Sequence, residues 1–318
     1  MPPFPKPSFD YNYHVASQLR ALRHWRDTAP GRQIPAKAPD RLLLATWNIA
    51  NLGVQERRAQ DYQLIAEILG WFDLIAVQEV NDNLVGLRSI HDLLPSDYRL
   101  LFSDAAGNNE RLTFIYDRNK VTQLEEVGEL SVPPSQLAGV KLRDSSQRFE
   151  GFDRNPFLGL FRAGTWIFQL ANVHLYFGTG SATSMNRRRL ETLAVARWAE
   201  RRQSSEYTST RDIVPLGDFN LPKTEPGDPI FDELTGYGLH LPDHSTEAGS
   251  SIAEDKEYDQ IAFFPGETQE QFTGRTGVFD FDGALFRTLW EERPRNEFLA
   301  YMRYCISDHR PLWAEFAI

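Results

Sequence analysis

The chain has 318 residues, 41 % of them hydrophobic and 25 % charged, and carries a net charge of −10 from 44 acids against 34 bases. That is ordinary globular composition with ample length for a core, and no apolar run approaches the roughly 18 residues of a membrane span. The acidic balance argues against tight, nonspecific binding of nucleic acid, which favours a basic surface. A site holding a divalent cation, by contrast, suits clustered acids. Cys305 is the lone cysteine, so no intrachain disulfide forms. The start, MPPFPKPSFD, has no apolar segment behind a basic one and does not read as a signal peptide; the expected location is the cytoplasm.

Residues 1–40 read as an arm. Prolines at 2, 3, 5 and 7 precede YHVASQLRALRHWRD, in which Val15, Leu19 and Leu22 recur at helical spacing while Arg20, Arg23 and Arg26 fall mostly elsewhere. A docking helix with a solvated basic face is the expectation. From residue 41 to 318 the pattern is one domain. RLLLATW is a buried strand ending at Asn48, ERRAQDYQLIAEILGWF an amphipathic helix, and DLIAVQEV a second strand. RLTFIYD, PFLGLFR and TWIFQLANVHL are rich in β-branched and aromatic residues and read as strands. SMNRRRLETLAVARWAERR is a long helix, with Arg187, Arg188 and Arg189 on a solvated face. DIVPLGDFN, EYDQIAFF and HRPLWAEFAI are the later strands. Strands following one another without helices near 98–130 and 156–173 imply antiparallel pairing. The fold class is therefore a mixed α/β layered domain, two sheets face to face with helices outside. Residues 131–155 and 221–257 are long polar connections and candidate functional loops.

Polar residues gather at the ends of the apolar runs: Asn48, Glu79, His174, and the pair Asp218 and Asn220; Asp308 and His309 lie just before the last run. A carboxylate at the end of a buried strand is costly unless paired or bound to a cation, so several such ends suggest convergence on one polar site. Oxygen ligands suit a hard cation such as Mg²⁺, with Glu79 and Asp308 as carboxylates and Asn48 as their amide neighbour. Asp218 and Asn220, two apart on an extended segment, face the same way. The sequence has no phosphate-binding GxxxxGK[ST] loop, no GxGxxG fingerprint and no zinc spacing. Asp280 and Asp282 in GVFDFDG read as a turn, and the remaining histidines as surface or loop residues.

In order, ATWNIANLG, DLIAVQEV, NERLTFIYDRNKV, NVHLYFG, PLGDFNLP, EYDQIAFF and ISDHRPLW resemble the endonuclease/exonuclease/phosphatase superfamily, the deoxyribonuclease I-like fold. The resemblance covers roughly residues 42–318 and implies a four-layer α/β sandwich with its site at one rim of the sheets. It implies Glu79 as the principal metal carboxylate with Asn48 and Asp308 close to the cation, Mg²⁺ first and Mn²⁺ or Ca²⁺ as alternatives. Asp218 would align the attacking water, and Asn220 and Asn48 would bind the phosphate. His309, oriented by Asp259, would stabilise the developing charge; His174 matches the other catalytic histidine, with Asp104 as its expected acid partner. Arg154, in DRNP, resembles a phosphate-contacting arginine. The implied function is metal-dependent hydrolysis of phosphodiesters, a nuclease on DNA or RNA first. A phosphatase or phosphodiesterase for phospholipid, inositol phosphate or nucleotide is the alternative, and a non-catalytic binding protein the remote one. Nucleic acid is the expected partner, with no obligate protein partner.

Overall fold

A computed structural model describes residues 3–244, 246–253 and 256–318. Eleven strands among them form two sheets. The first contains β1 (Arg41–Leu52), β2 (Leu74–Asn81), β3 (Tyr98–Phe102), β4 (Glu110–Asp117), β10 (Phe272–Val278) and β11 (Leu312–Ala317), in the order β10-β11-β1-β2-β4-β3. The second runs β5-β6-β7-β8-β9, from β5 (Val121–Glu129) and β6 (Phe157–Ala163) through β7 (Trp166–His174) and β8 (Ile213–Asp218) to β9 (Asp259–Ile261). Among the described residues only β1–β2 and β7–β8 are parallel pairs; the expected antiparallel pairs β3–β4, β5–β6 and β6–β7 are present. The helices are α1 (Val15–Thr28), α2 (Ala59–Leu69), α3 (Val85–His91), α4 (Pro134–Leu137), α5 (Ala182–Ser204), α6 (Pro229–Thr235), α7 (Glu267–Gln271), α8 (Phe281–Ala284), α9 (Arg287–Glu292) and α10 (Arg295–Cys305). None of them is long and apolar enough to cross a membrane.

The layering follows from side-chain alternation. In β1, Leu42 and Leu44 join a core between the sheets with Leu74, Ala76, Phe168, Leu170, Val214, Leu216 and Phe316. Leu43, Ala45 and Trp47, one residue out of phase, pack instead with Leu64 and Ile68 of α2, Leu87 of α3 and Phe298 and Met302 of α10. On the far side, Val173 and Ile213 meet Val195 and Ala199 of α5 and Ile230 and Leu234 of α6. The result is helix, sheet, sheet, helix, the four-layer sandwich.

The N-terminal segment is laid over the first helical layer. Phe4, Phe9, Tyr11, Tyr13, Val15, Leu19 and Trp25 pack against that core. Tyr13 donates to Asp61 at 2.6 Å and Trp25 Nε1 to Asp280 at 2.8 Å. The basic face is only partly solvated: Arg23 pairs with Glu67 and Arg26 covers the Trp71 ring. DFDG, expected as a turn, instead opens the short helix α8, where Asp280 receives α1 and Asp282 grips Arg310 at 2.7 and 2.8 Å. Pro2 lies outside the described residues.

Candidate active site

Along each central strand the face between the sheets changes from apolar to polar at one rim. In β1 the series is Leu42, Leu44, Thr46, Asn48; in β2, Leu74, Ala76, Gln78; in β7, Phe168, Leu170, Asn172, His174; in β8, Val214, Leu216, Asp218. β4 and β9 run the other way, so their polar residues come first: Glu110 precedes Leu112 and Phe114, and Asp259 precedes Ile261. Below the rim, Gln78 Nε2 donates to Asn172 Oδ1 at 2.7 Å, and Asn172 Nδ2 donates to the carbonyls of Thr113 and Val77 at 3.1 and 3.3 Å. These buried amides tie the two sheets together under the cleft.

Asp218 is the hub. Asn48 Nδ2 donates to its Oδ2 at 3.0 Å and to Glu79 Oε1 at 3.0 Å. His174 Nε2 lies 3.6 Å from the same Oδ2 and 3.9 Å from Glu79, and His309 Nε2 lies 3.9 Å from it. Two imidazoles, one from each sheet's side, thus face one carboxylate. Glu79 sits at φ +58° where β2 slips register against β4, and its Oε2 accepts from the Asn51 N–H at 2.8 Å. A left-handed non-glycine residue is costly unless its surroundings hold it; here two donors do. The Asn220 N–H donates to Asp218 Oδ1 at 2.9 Å, and its side chain donates to the Leu175 carbonyl at 2.7 Å.

His309 Nδ1 is 2.7 Å from Asp259 Oδ2, with both groups buried. Burial alone would lower the histidine's pKa, but the charges of Asp259 and Asp218 outweigh it and hold His309 protonated well above its ordinary range. Ser307, which was not foreseen, positions this segment: its hydroxyl donates to the Asn48 carbonyl at 2.7 Å and accepts from the His309 N–H at 3.1 Å. The adjacent Asp308 is half-buried, and desolvation, with the charges of Glu79 and Asp218, pushes its carboxyl up to about 6 against the pull of His309.

Two expectations are corrected. Asp104 is not the partner of His174: its side chain is 88 % exposed and pairs loosely with Arg111 at 3.6 Å. The partner is Glu110, whose Oε2 is 3.1 Å from His174 Nδ1. Burial raises the Glu110 pKa, but His174 and Arg154 overcome that and keep it well below the usual carboxylate range. Arg154 is not aimed at the cleft. It donates to the carbonyls of His174 and Leu175 at 2.8 and 3.2 Å and pairs with Glu110 and Asp153 at 3.4 and 3.3 Å. With every guanidinium nitrogen engaged, it braces the His174–Glu110 pair from behind. Arg188 also departs from the expected solvated face: it is buried and donates to the carbonyls of Asn220 and Phe177.

The chemistry of the donors favours a hard cation. With Nδ2 of Asn48 donating to two carboxylates, its Oδ1 is buried without a hydrogen-bond partner. Turning the amide round would set oxygen against oxygen, so the orphan is real. An oxygen acceptor beside Glu79, near a carboxyl pushed up by neighbouring acids, fits a divalent ion. Asp218, Asp259 and His309 also bring ligand atoms within 4.8 Å of one another. However, His309 Nδ1 is already engaged by Asp259, and a protonated ring cannot ligate.

No family model matches the chain. A deoxyribonuclease from Thioalkalivibrio sp. (strain K90mix) is 31 % identical over 205 residues, 61 % of this chain and 50 % of that protein. The chain therefore spans about half the length of the curated relative it matches. An endonuclease/exonuclease/phosphatase family protein from Bacteroides thetaiotaomicron superposes with a TM-score of 0.53 at 17 % identity, over 87 % of this chain and 94 % of that one. The fold is the one seen in such solved endonuclease/exonuclease/phosphatase family proteins. Humanized D. rerio TDP2 shares it, with a TM-score of 0.58 at 13 % identity over 88 % of this chain and all of that one. In this chain the polar strand ends meet at one rim of the two sheets.

Proposed function

We propose that the chain is a divalent-cation-dependent nuclease that hydrolyses phosphodiester bonds by in-line attack of water. The observation that carries this reading is the pair of imidazole Nε2 atoms, on His174 and His309, facing Asp218 Oδ2 at 3.6 and 3.9 Å. A carboxylate between two such rings is a place for a water and a phosphoryl group to meet. Asp218 aligns the water and takes its proton. His309, kept charged by Asp259, donates to a phosphoryl oxygen as negative charge builds there. Glu110 holds the His174 ring with Nδ1 turned away, so that Nε2 faces the reacting group. Asn220, fixed by Leu175 and Asp218, presents its remaining amide hydrogen to the phosphate. Glu79, Asp308 and Asn48 Oδ1 would hold the cation, Mg²⁺ by the hardness of the donors, which when bound supplies positive charge to the phosphoryl and leaving oxygens.

A nucleic-acid substrate is supported by the relative named a deoxyribonuclease. The test is a screen of plasmid, single-stranded DNA, RNA and phosphate monoesters with added Mg²⁺ or Mn²⁺. Cleavage of a polynucleotide, abolished by EDTA and by Asp218→Asn, is expected. Cleavage that survives either change overturns the assignment, and phosphate release from monoesters with intact polynucleotides overturns the substrate class.

A further inference from the structure

The loop after His174 places an aromatic ring at the lip of the cleft. Phe177 is 43 % exposed. It is also rigidly mounted. The Arg188 guanidinium lies 4.7 Å from its ring centroid and donates to its carbonyl. Its edge meets Tyr258 at 6.1 Å and 82°, and Tyr258 in turn leans over the His309 ring at 5.9 Å and 37°. The cleft is thus continued outward by rings, His309 to Tyr258 to Phe177, with a buried cation behind the last one.

We propose that Phe177 is the stacking platform for the base next to the scissile phosphate, and that the substrate strand is single-stranded there. This rests on the nuclease reading above. A ring already held in place loses little freedom on binding, and any base offers it a flat face. A base inside a duplex has both faces covered, so only an unpaired base stacks on a protein ring. The net charge of −10 points the same way. Gripping a duplex needs many phosphate contacts with basic groups, whereas one phosphate in the cleft and one base on Phe177 need few.

The experiment compares wild type, Phe177→Ala, Phe177→Leu and Phe177→Trp on an intact single-stranded oligonucleotide, on abasic versions scanning one position at a time, and on its duplex. Wild type should lose about tenfold in kcat/KM when the base beside the cut is removed, the scale of one base–aromatic stack. Phe177→Ala and Phe177→Leu should lose about as much on the intact strand and nothing further on the abasic one. Phe177→Trp should restore the preference, and the duplex should be cut at least about tenfold more slowly. The leucine variant keeps the apolar bulk, which separates stacking from packing. An abasic penalty that persists without the ring, or none in wild type, overturns the platform while leaving the nuclease reading intact. Activity on monoesters alone overturns both.

Discussion

Gly217 is where the strand geometry of the site is most exposed to test. It sits in β8 at φ +134°, opposite Val173 in the parallel β7 ladder, one residue before the facing pair His174 and Asp218. A Cβ built there would lie 2.1 Å from the Val173 carbonyl oxygen and 2.8 Å from its nitrogen. Neither atom belongs to a side chain that can swing away, so β7 and β8 must separate by about an ångström or the backbone must change conformation. Holding an alanine in this glycine region costs about 1–3 kcal/mol, and the overpacking adds a similar amount. Gly217→Ala should therefore destabilise by roughly 2–6 kcal/mol. At about 2–4 °C per kcal/mol in a large domain, Tm falls on the order of 10 °C. Thermal unfolding followed by circular dichroism is the assay. Gly128→Ala in β5, where a Cβ meets nothing within 4 Å, is the control and should melt like wild type. A Gly217→Ala melt within about 2 °C of wild type would refute the argument that this glycine is required by the close approach of the two strands.

Glu110→Gln keeps the shape of the His174 partner and removes its charge, so kcat on the preferred substrate should fall about 10- to 100-fold with Tm little changed. Asp104→Ala should leave both untouched, and the reverse ranking would restore Asp104 as the partner. Glu191, buried in α5, accepts from the N–H groups of Asp153 and Tyr176, and burial pushes its pKa from 4.5 to about 7. Because the folded value is the higher one, its contribution is fully present below pH 4.5 and is lost as pH rises through 7. Wild type should therefore lose up to about 3 kcal/mol relative to Glu191→Gln between pH 5 and pH 8. Urea denaturation at both pH values reads this directly, and parallel pH profiles would show that Glu191 does not titrate there.

The sandwich was legible because the central strands are apolar on both faces and the helices on one. The site was legible because a two-residue alternation that ends in Asn48, His174 or Asp218 has few structural reasons to do so. Glu110 escaped notice although the same alternation, counted back through Phe114 and Leu112, ends on it, because it stands at the head of an antiparallel strand and not at the end of an apolar run. Arg154 and Arg188 could not be placed from sequence. Most of their partners are main-chain carbonyls, of residues 174, 175, 177 and 220, and a carbonyl leaves no mark in the residue code. The role of Ser307 is hidden for the same reason.

The parts of the cleft are spread along the chain so that no contiguous fragment contains them. Asn48 and Glu79 come from its first quarter, Asp218 from beyond its middle, and His309 from its last ten residues. His309, one of the two histidines that face Asp218, stands just before β11, the strand that pairs with β1. A cut anywhere between residues 79 and 309 therefore parts side chains that meet in the cleft. The antiparallel closure of β11 against β1 is what lays the Ser307–His309 segment onto Asn48.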